Sequence, residues 1–161
     1  MSFSRKLLIF GGLALAIWGM GYGIWYAVFI EHQTLDGLGS ALATGFIRAA
    51  ESRMEESQAA LADAASRSFV YVRQVDAHGH WIGLGLLLLI LGIAFERVAF
   101  AERTRTYLAL ALLTGAVAFP LGVLAETWNR GAGPQAIAVA GSALVILGLA
   151  ATAWGFARKS S

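Results

Sequence analysis

Long apolar runs separated by polar segments dominate the chain. Four of these runs reach the length of about 20 residues that a membrane-spanning helix needs. They predict spans at about 7–30, 76–95, 107–125 and 135–157. Arg5 and Lys6 precede the first run as they would in a signal peptide, but the run exceeds the usual apolar core of about 7–15 residues. We therefore expect an all-α integral membrane protein with an uncleaved first helix.

The polar connection 31–75 is too long to be a simple loop. It is rich in Ala and Glu, which are good helix formers, and Leu35, Leu38, Leu42 and Phe46 recur at helical spacing. We expect one or two helices here, lying on the membrane surface or standing above it, with bends at Gly37, Gly39 and Gly45. The predicted architecture is one membrane domain over 1–161, a four-helix bundle with a helical insertion between its first and second helices.

The distribution of Lys and Arg predicts the orientation in the membrane. Four spans place both termini and the 96–106 connection on one side, where seven basic residues face only Glu96 and Glu102. These basic residues are Arg5, Lys6, Arg97, Arg103, Arg105, Arg158 and Lys159. The other side holds the remaining five basic residues and eight acidic ones. Because cytoplasmic segments carry the excess of Lys and Arg, we expect an inner-membrane protein with cytoplasmic termini and an extracytoplasmic insertion over 31–75.

Composition narrows the class of protein further. With 58% hydrophobic and 14% charged residues, the chain is neither disordered nor an ordinary soluble domain. The absence of cysteine excludes disulfides, thiolate metal sites and c-type haem attachment. The net charge is only +2 and the basic residues are scattered, so we expect no nucleic-acid partner. The lipid bilayer is the expected environment.

Three histidines are the main candidates for chemistry, and all map to the predicted outer boundary. His32 follows the first span, and His78 and His80 begin the second. Three carboxylates belong to the same level: Glu31 beside His32, Asp76 four residues before His80, and Glu126 at the end of the third span. Polar groups are costly at a membrane and are therefore functional candidates. Positions i and i+2 point about 200° apart on a helix, so His78 and His80 should not share one metal.

Two classes of function fit these residues. In the first, His78, His80 and His32 hold haem b, or bind copper, zinc or iron together with Asp76, Glu126 and Glu31, for electron transfer or ligand sensing. In the second, the protein is a non-enzymatic accessory or scaffold subunit whose insertion contacts a membrane protein partner or a second copy of the chain. Boundary histidines also occur without any ligand, and no nucleophile and base motif points to an enzyme.

The stretch from His78 to Gly85, reading His-Gly-His-Trp-Ile-Gly-Leu-Gly, resembles a pattern in small bacterial four-span membrane proteins of uncharacterised function. Those proteins are in turn distantly similar to subunit I of the haem-copper oxidases, where an outer-side histidine early in the second helix is an axial haem ligand. The resemblance covers about 20 residues and implies that His78 or His80 binds haem. The chain lacks the further helices of an oxidase, so the resemblance implies neither oxygen reduction nor proton pumping.

Overall fold

The computed structural model describes residues 1–158 and contains five α-helices. They are α1 (Phe3–Phe29), α2 (Glu31–Ala50), α3 (Met54–Ala94), α4 (Glu102–Ala125) and α5 (Ala132–Ala157), with a short 3-10 helix at Phe95–Arg97. Four of them, all but α2, are long and apolar enough to cross a membrane. The all-helical prediction and the four candidate spans are therefore confirmed. Lys159, counted above among the charges of one side, lies outside the described residues.

The first two helices are joined almost without a break. Only Ile30 separates them, and the backbone hydrogen bonds continue across it. The N–H of Ile30 donates to the carbonyl of Tyr26 at 2.9 Å, and the N–H of Thr34 donates to that of Ile30 at 3.1 Å. The polar helix α2 is thus nearly continuous with the apolar helix α1.

α3 is a single helix of 41 residues and includes the segment that the sequence assigned to a separate insertion. No proline occurs in it, and its first glycine is Gly79, so nothing interrupts the helix above that point. At 1.5 Å per residue it is about 60 Å long, roughly twice the thickness of the hydrocarbon core. Its first half carries Glu55, Glu56, Asp63, Arg67 and Arg73, charged side chains that would be costly in the hydrocarbon of a bilayer.

α2 packs antiparallel against this first half of α3, and we call residues 31–75 the hairpin. Its tip is the segment 51–53, where Ser52 adopts a left-handed conformation with φ of 59°. Small residues make the contact: Ala41 and Gly45 are buried, and the Ser57 hydroxyl donates to the carbonyl of Gly45 at 2.9 Å. The expected bends at Gly37, Gly39 and Gly45 were wrong, because α2 runs unbroken through all three.

In the membrane part, α1 packs along α3, and α4 contacts both. α1 and α3 approach so closely that a Cβ on Gly12 would lie 2.5 Å from the carbonyl oxygen of Gly85. α5 packs mainly against α4, again through glycines such as Gly122, which faces Ala138. Small residues of this kind let membrane helices come into backbone contact.

Two carboxylates fasten the start of α1 to the connection between α3 and α4. Glu96 accepts a hydrogen bond from the N–H of Ser2 at 3.1 Å, and Glu102 accepts one from the N–H of Ser4 at 3.0 Å. Arg5 adds an ion pair with Glu96 at 3.2 Å. These contacts satisfy N–H groups that a helix start leaves without partners. They also place the N-terminus beside the 96–106 connection.

Candidate functional site

His78 belongs to a polar and aromatic cluster between α3 and α1. Its Nδ1 lies 3.2 Å from the backbone carbonyl of Gln74, one turn earlier. The ring covers Gly23 of α1, where an added Cβ would lie 3.0 Å from His78 Cδ2. The Tyr22 hydroxyl donates to the side chain of Gln74. The sequence analysis missed Tyr22 and Gln74, although the spacing of Gln74 and His78, i and i+4, was a usable signal.

His80 faces a different helix. Its Nδ1 lies 2.6 Å from the backbone carbonyl of Asp76, and its ring packs edge-to-face on Phe119 of α4 with the centroids 4.7 Å apart. The two imidazoles therefore contact α1 and α4 respectively, as their spacing of two residues on one helix requires. His32 lies on α2 and is exposed. The structure gives each histidine different neighbours.

The three candidate carboxylates already have protein partners. Glu31 accepts a hydrogen bond from the Tyr71 hydroxyl at 3.1 Å. Glu126 is nearly buried and lies 2.8 Å from Arg73 Nε, while the Asp76 carboxylate lies 3.7 Å from the same guanidinium. Within residues 1–158, no group of three histidine, aspartate or glutamate side chains is close enough together to hold a metal ion.

The packing between α1 and α3 also limits the space for a haem beside His78. A haem held by His78 needs a slot between the helices that flank the ring, but these helices touch backbone to backbone at Gly12 and Gly85. The His78 ring itself fills the space over Gly23. The close contact of α1 and α3 thus leaves no such slot beside His78, and haem binding stays a prediction.

Arg73 is the centre of the polar contacts at this level, and the sequence analysis did not single it out. It pairs with Glu126 across α3 and α4, and its guanidinium lies 5.0 Å from the centroid of the Phe69 ring. Arg130, from the α4–α5 connection, lies 4.3 Å from the same centroid. The three side chains border a cavity of about 400 Å³. This arrangement ties the base of the hairpin to the ends of α4 and α5.

The hairpin has one broad apolar side. On α2 the apolar residues Leu35, Gly39, Leu42, Phe46 and Ala49 alternate at intervals of four and three residues, and all five are exposed. Phe46 is 69% exposed and Leu35 is 41% exposed. On α3 the same intervals link Met54, Leu61, Ala65 and Val72 with the polar Gln58 and Ser68, and of these Met54 is 57% and Val72 45% exposed. We call these two rows together the apolar face.

Two contacts show that both rows lie on the same side of the hairpin. Leu61 leans over Gly45, and Arg67 leans over Gly37. Gly37 and Gly45 are about 80° apart around α2, so these contacts mark the two edges of the α2–α3 interface. Around α2, Leu42 and Phe46 lie beyond Gly45, on the side away from Gly37. Around α3, Ala65 lies beyond Leu61, on the side away from Arg67.

Several charged residues of the hairpin form ion pairs on the opposite side and at the tip. Arg67 pairs with Asp63 at 2.8 Å, and Arg48 pairs with Glu51 at 2.7 Å. The hydrogen bond to Glu51 raises the pKa of Arg48 above its ordinary value. Glu56 and Arg53 complete the network at the tip. On the apolar face itself, residues 35–49 and 54–72 contribute no acidic or basic side chain.

Comparison with known proteins gives no relative to guide the assignment: no family model, no curated protein and no solved structure matches the chain. The function therefore has to be argued from this geometry alone.

Proposed function

We propose that this protein is a non-enzymatic membrane scaffold or accessory subunit that binds protein through the apolar face of its hairpin. One observation carries the proposal: large apolar side chains, among them Phe46 and Met54, are exposed on the charged hairpin, outside the four apolar runs of the sequence. A soluble surface rarely leaves a continuous apolar patch without a binding role.

The bilayer is a poor candidate to cover this face because the hairpin is held upright. α3 continues without a break from the tip into the apolar segment that crosses the membrane, and α2 is nearly continuous with α1. Laying the hairpin flat would require breaking both helices near the membrane surface. The Arg73–Glu126 pair, which joins the hairpin base to α4, opposes such a bend. We place the hairpin on the extracytoplasmic side, in line with the Lys and Arg distribution.

The competing haem and metal hypotheses draw less support from the same geometry. His78 and His80 contact different helices, and the carboxylates near them already have partners. A haem protein is coloured, whereas a scaffold is not. An absorption spectrum of the purified protein, oxidised and dithionite-reduced, from cells able to supply haem, separates the two classes. We expect no Soret band. A Soret band lost in both His78→Ala and His80→Ala would overturn the scaffold proposal.

The direct test is the size of the assembly in native lipid. The protein is extracted with a styrene–maleic acid polymer, and its mass is measured by light scattering or native mass spectrometry. We expect the wild-type chain in a complex larger than one 17.0 kDa copy. Phe46→Asp places a carboxylate on the apolar face and should release single chains. Thr44→Asp, which is also exposed but lies on the other side of α2, is the matched control and should leave the complex intact.

Neither substitution should disturb the folding of the chain. Both side chains are exposed in the single chain, so neither substitution removes a packing contact from the core. Helix content by circular dichroism should match the wild type in both. A wild-type protein that is a single chain in native lipid would contradict the proposal, and so would equal behaviour of the two variants.

A further inference from the structure

We infer that the partner of the apolar face is a second copy of this chain, and that two hairpins form a four-helix bundle above the membrane. The inference rests on the proposed function and names the partner of the same surface. It follows from the spacing of the apolar rows, from the constraint that the membrane imposes on two copies, and from the charge of the face.

The spacing is that of a helix with two neighbours. On α2, one row of residues at intervals of four and three faces α3, and it includes Leu38, Ala41 and Gly45. The exposed row is displaced from it by one residue, or about 100° around the helix. Repeats of four and three are the knob positions of helices that pack at a shallow angle. A helix of a four-helix bundle has two such rows because it packs against two neighbours.

α3 repeats this arrangement. Its buried row includes Ser57 and Ala64, which face α2. Its exposed row, from Met54 to Val72, is again displaced toward the side that carries the exposed row of α2. A single hairpin therefore supplies two of the four helices of a bundle, and both of the missing helices must lie on the same side.

The membrane restricts how a second copy can supply them. Two copies in one bilayer carry their hairpins at the same height and in the same orientation, so they are related by a two-fold axis along the membrane normal. Rotation about this axis places α2 of one copy against α3 of the other, antiparallel. Within one hairpin, Gly45 of α2 lies at the height of Leu61 of α3, and the two-fold axis keeps the same correspondence of heights between the two copies. Leu42 of one copy then meets the region of Leu61 and Ala65 in its partner.

Charge and size agree with such a pairing. A face that meets its own copy must avoid like charges, and residues 35–49 and 54–72 place none on the apolar face. The ion pairs Arg48–Glu51 and Asp63–Arg67 lie at the tip or on the far side, and the exposed Asp36 and Glu55 lie outside the two apolar rows. A face about 20 Å wide, about 21 Å high on α2 and about 27 Å high on α3, gives about 1,000 Å² of buried surface over two copies, which is the size at which specific interfaces begin.

The test uses the lack of native cysteine. One copy carries Leu42→Cys and one affinity tag, and a second, co-expressed copy carries Ala65→Cys and a different tag. Mild oxidation in intact membranes should yield a disulfide-linked pair that contains both tags, because the two positions face each other across the two-fold axis. The matched control replaces Leu42→Cys by Thr44→Cys, and we expect roughly tenfold less linked product, because positions two residues apart point about 200° apart on a helix.

The outcomes separate this inference from the proposed function. Linked product with Leu42→Cys but not with Thr44→Cys supports the pair of hairpins. Equal linking at both positions indicates random collision and overturns it. A complex in native lipid that contains one copy of this chain and a different protein also overturns the inference, while the scaffold function stands. A single chain in native lipid overturns both.

Discussion

At the scale of single residues, the polar side chains at the base of the hairpin make packing contacts and ion pairs. Arg73 joins α3 to α4, because its guanidinium reaches Glu126 on α4 as well as Asp76 and the ring of Phe69 on its own helix. Glu126 is 9% exposed, whereas the Asp63–Arg67 pair on the hairpin is about half exposed. The two ion pairs should therefore contribute very differently to stability.

We predict that Glu126→Gln lowers the free energy of unfolding by about 1–2 kcal/mol, since it leaves the partly buried Arg73 without its nearest carboxylate. Asp63→Asn is the matched control and should change it by less than about 0.5 kcal/mol, because its pair is open to water. Thermal unfolding followed by the fluorescence of the five tryptophans provides the measurement. Equal effects of the two substitutions would show that the Arg73–Glu126 pair is not formed.

At the scale of helices, α1 and α3 approach each other closely where a glycine of α3 faces the backbone of α1. Another glycine of the same helix faces open space. On α3, a Cβ at Gly85 would lie 2.6 Å from the carbonyl oxygen of Gly12 and 2.7 Å from the backbone nitrogen of Ala16. Backbone atoms cannot move aside as the end of a side chain can. Gly83, two residues earlier, has no atom within 4 Å of an added Cβ.

Gly85→Ala should therefore separate α1 from α3 and destabilise the protein by about 1–3 kcal/mol, the usual cost of overpacking. Gly83→Ala should be neutral or stabilising by up to about 1 kcal/mol, because alanine favours a helix more than glycine does. Comparing the unfolding of the two variants in the same detergent isolates the packing effect. If Gly85→Ala were as stable as Gly83→Ala, the close contact of α1 and α3 would be wrong.

The helices were readily predicted from the sequence, but their arrangement was not. Four long apolar runs and a helix-rich connection are visible in the pattern of the residues themselves. The turn at Ser52 gave no signal, because neither glycine nor proline marks it. The glycines of α2 suggested bends, yet Gly37 and Gly45 allow close contact with α3 instead. A glycine has the same appearance in a sequence whether it bends a chain or admits a neighbour.

The candidate site illustrates a similar limit. The spacing of His78 and His80 correctly indicated that they point apart on a helix. The sequence could not reveal that Glu31 and Glu126 have Tyr71 and Arg73 as partners, because those contacts join residues 40 and 53 positions apart. The position of a residue along a predicted membrane helix can be read from the sequence. Direction around each helix, and hence the meeting of side chains, depends on how the helices pack.

At the scale of the whole molecule, the fold has an apolar part, which contains the four candidate membrane helices, and a charged hairpin of comparable height. α3 runs through both parts, whereas α1 belongs to the apolar part and its near-continuation α2 belongs to the hairpin. The start of α1 is fastened to the α3–α4 connection through Glu96 and Glu102, so the N-terminus and that connection lie at the end opposite to the hairpin tip. The end that carries more Lys and Arg is thus distant from the apolar face.

This separation makes the orientation testable with two single cysteines that leave every charge unchanged. Ser52→Cys marks the hairpin tip, and Thr104→Cys marks the exposed start of α4 at the other end. Because basic residues are retained on the cytoplasmic side, we expect a membrane-impermeant maleimide to label Ser52→Cys in intact spheroplasts and Thr104→Cys only after permeabilisation. The reverse pattern would put the hairpin in the cytoplasm and make any partner of the apolar face a cytoplasmic one.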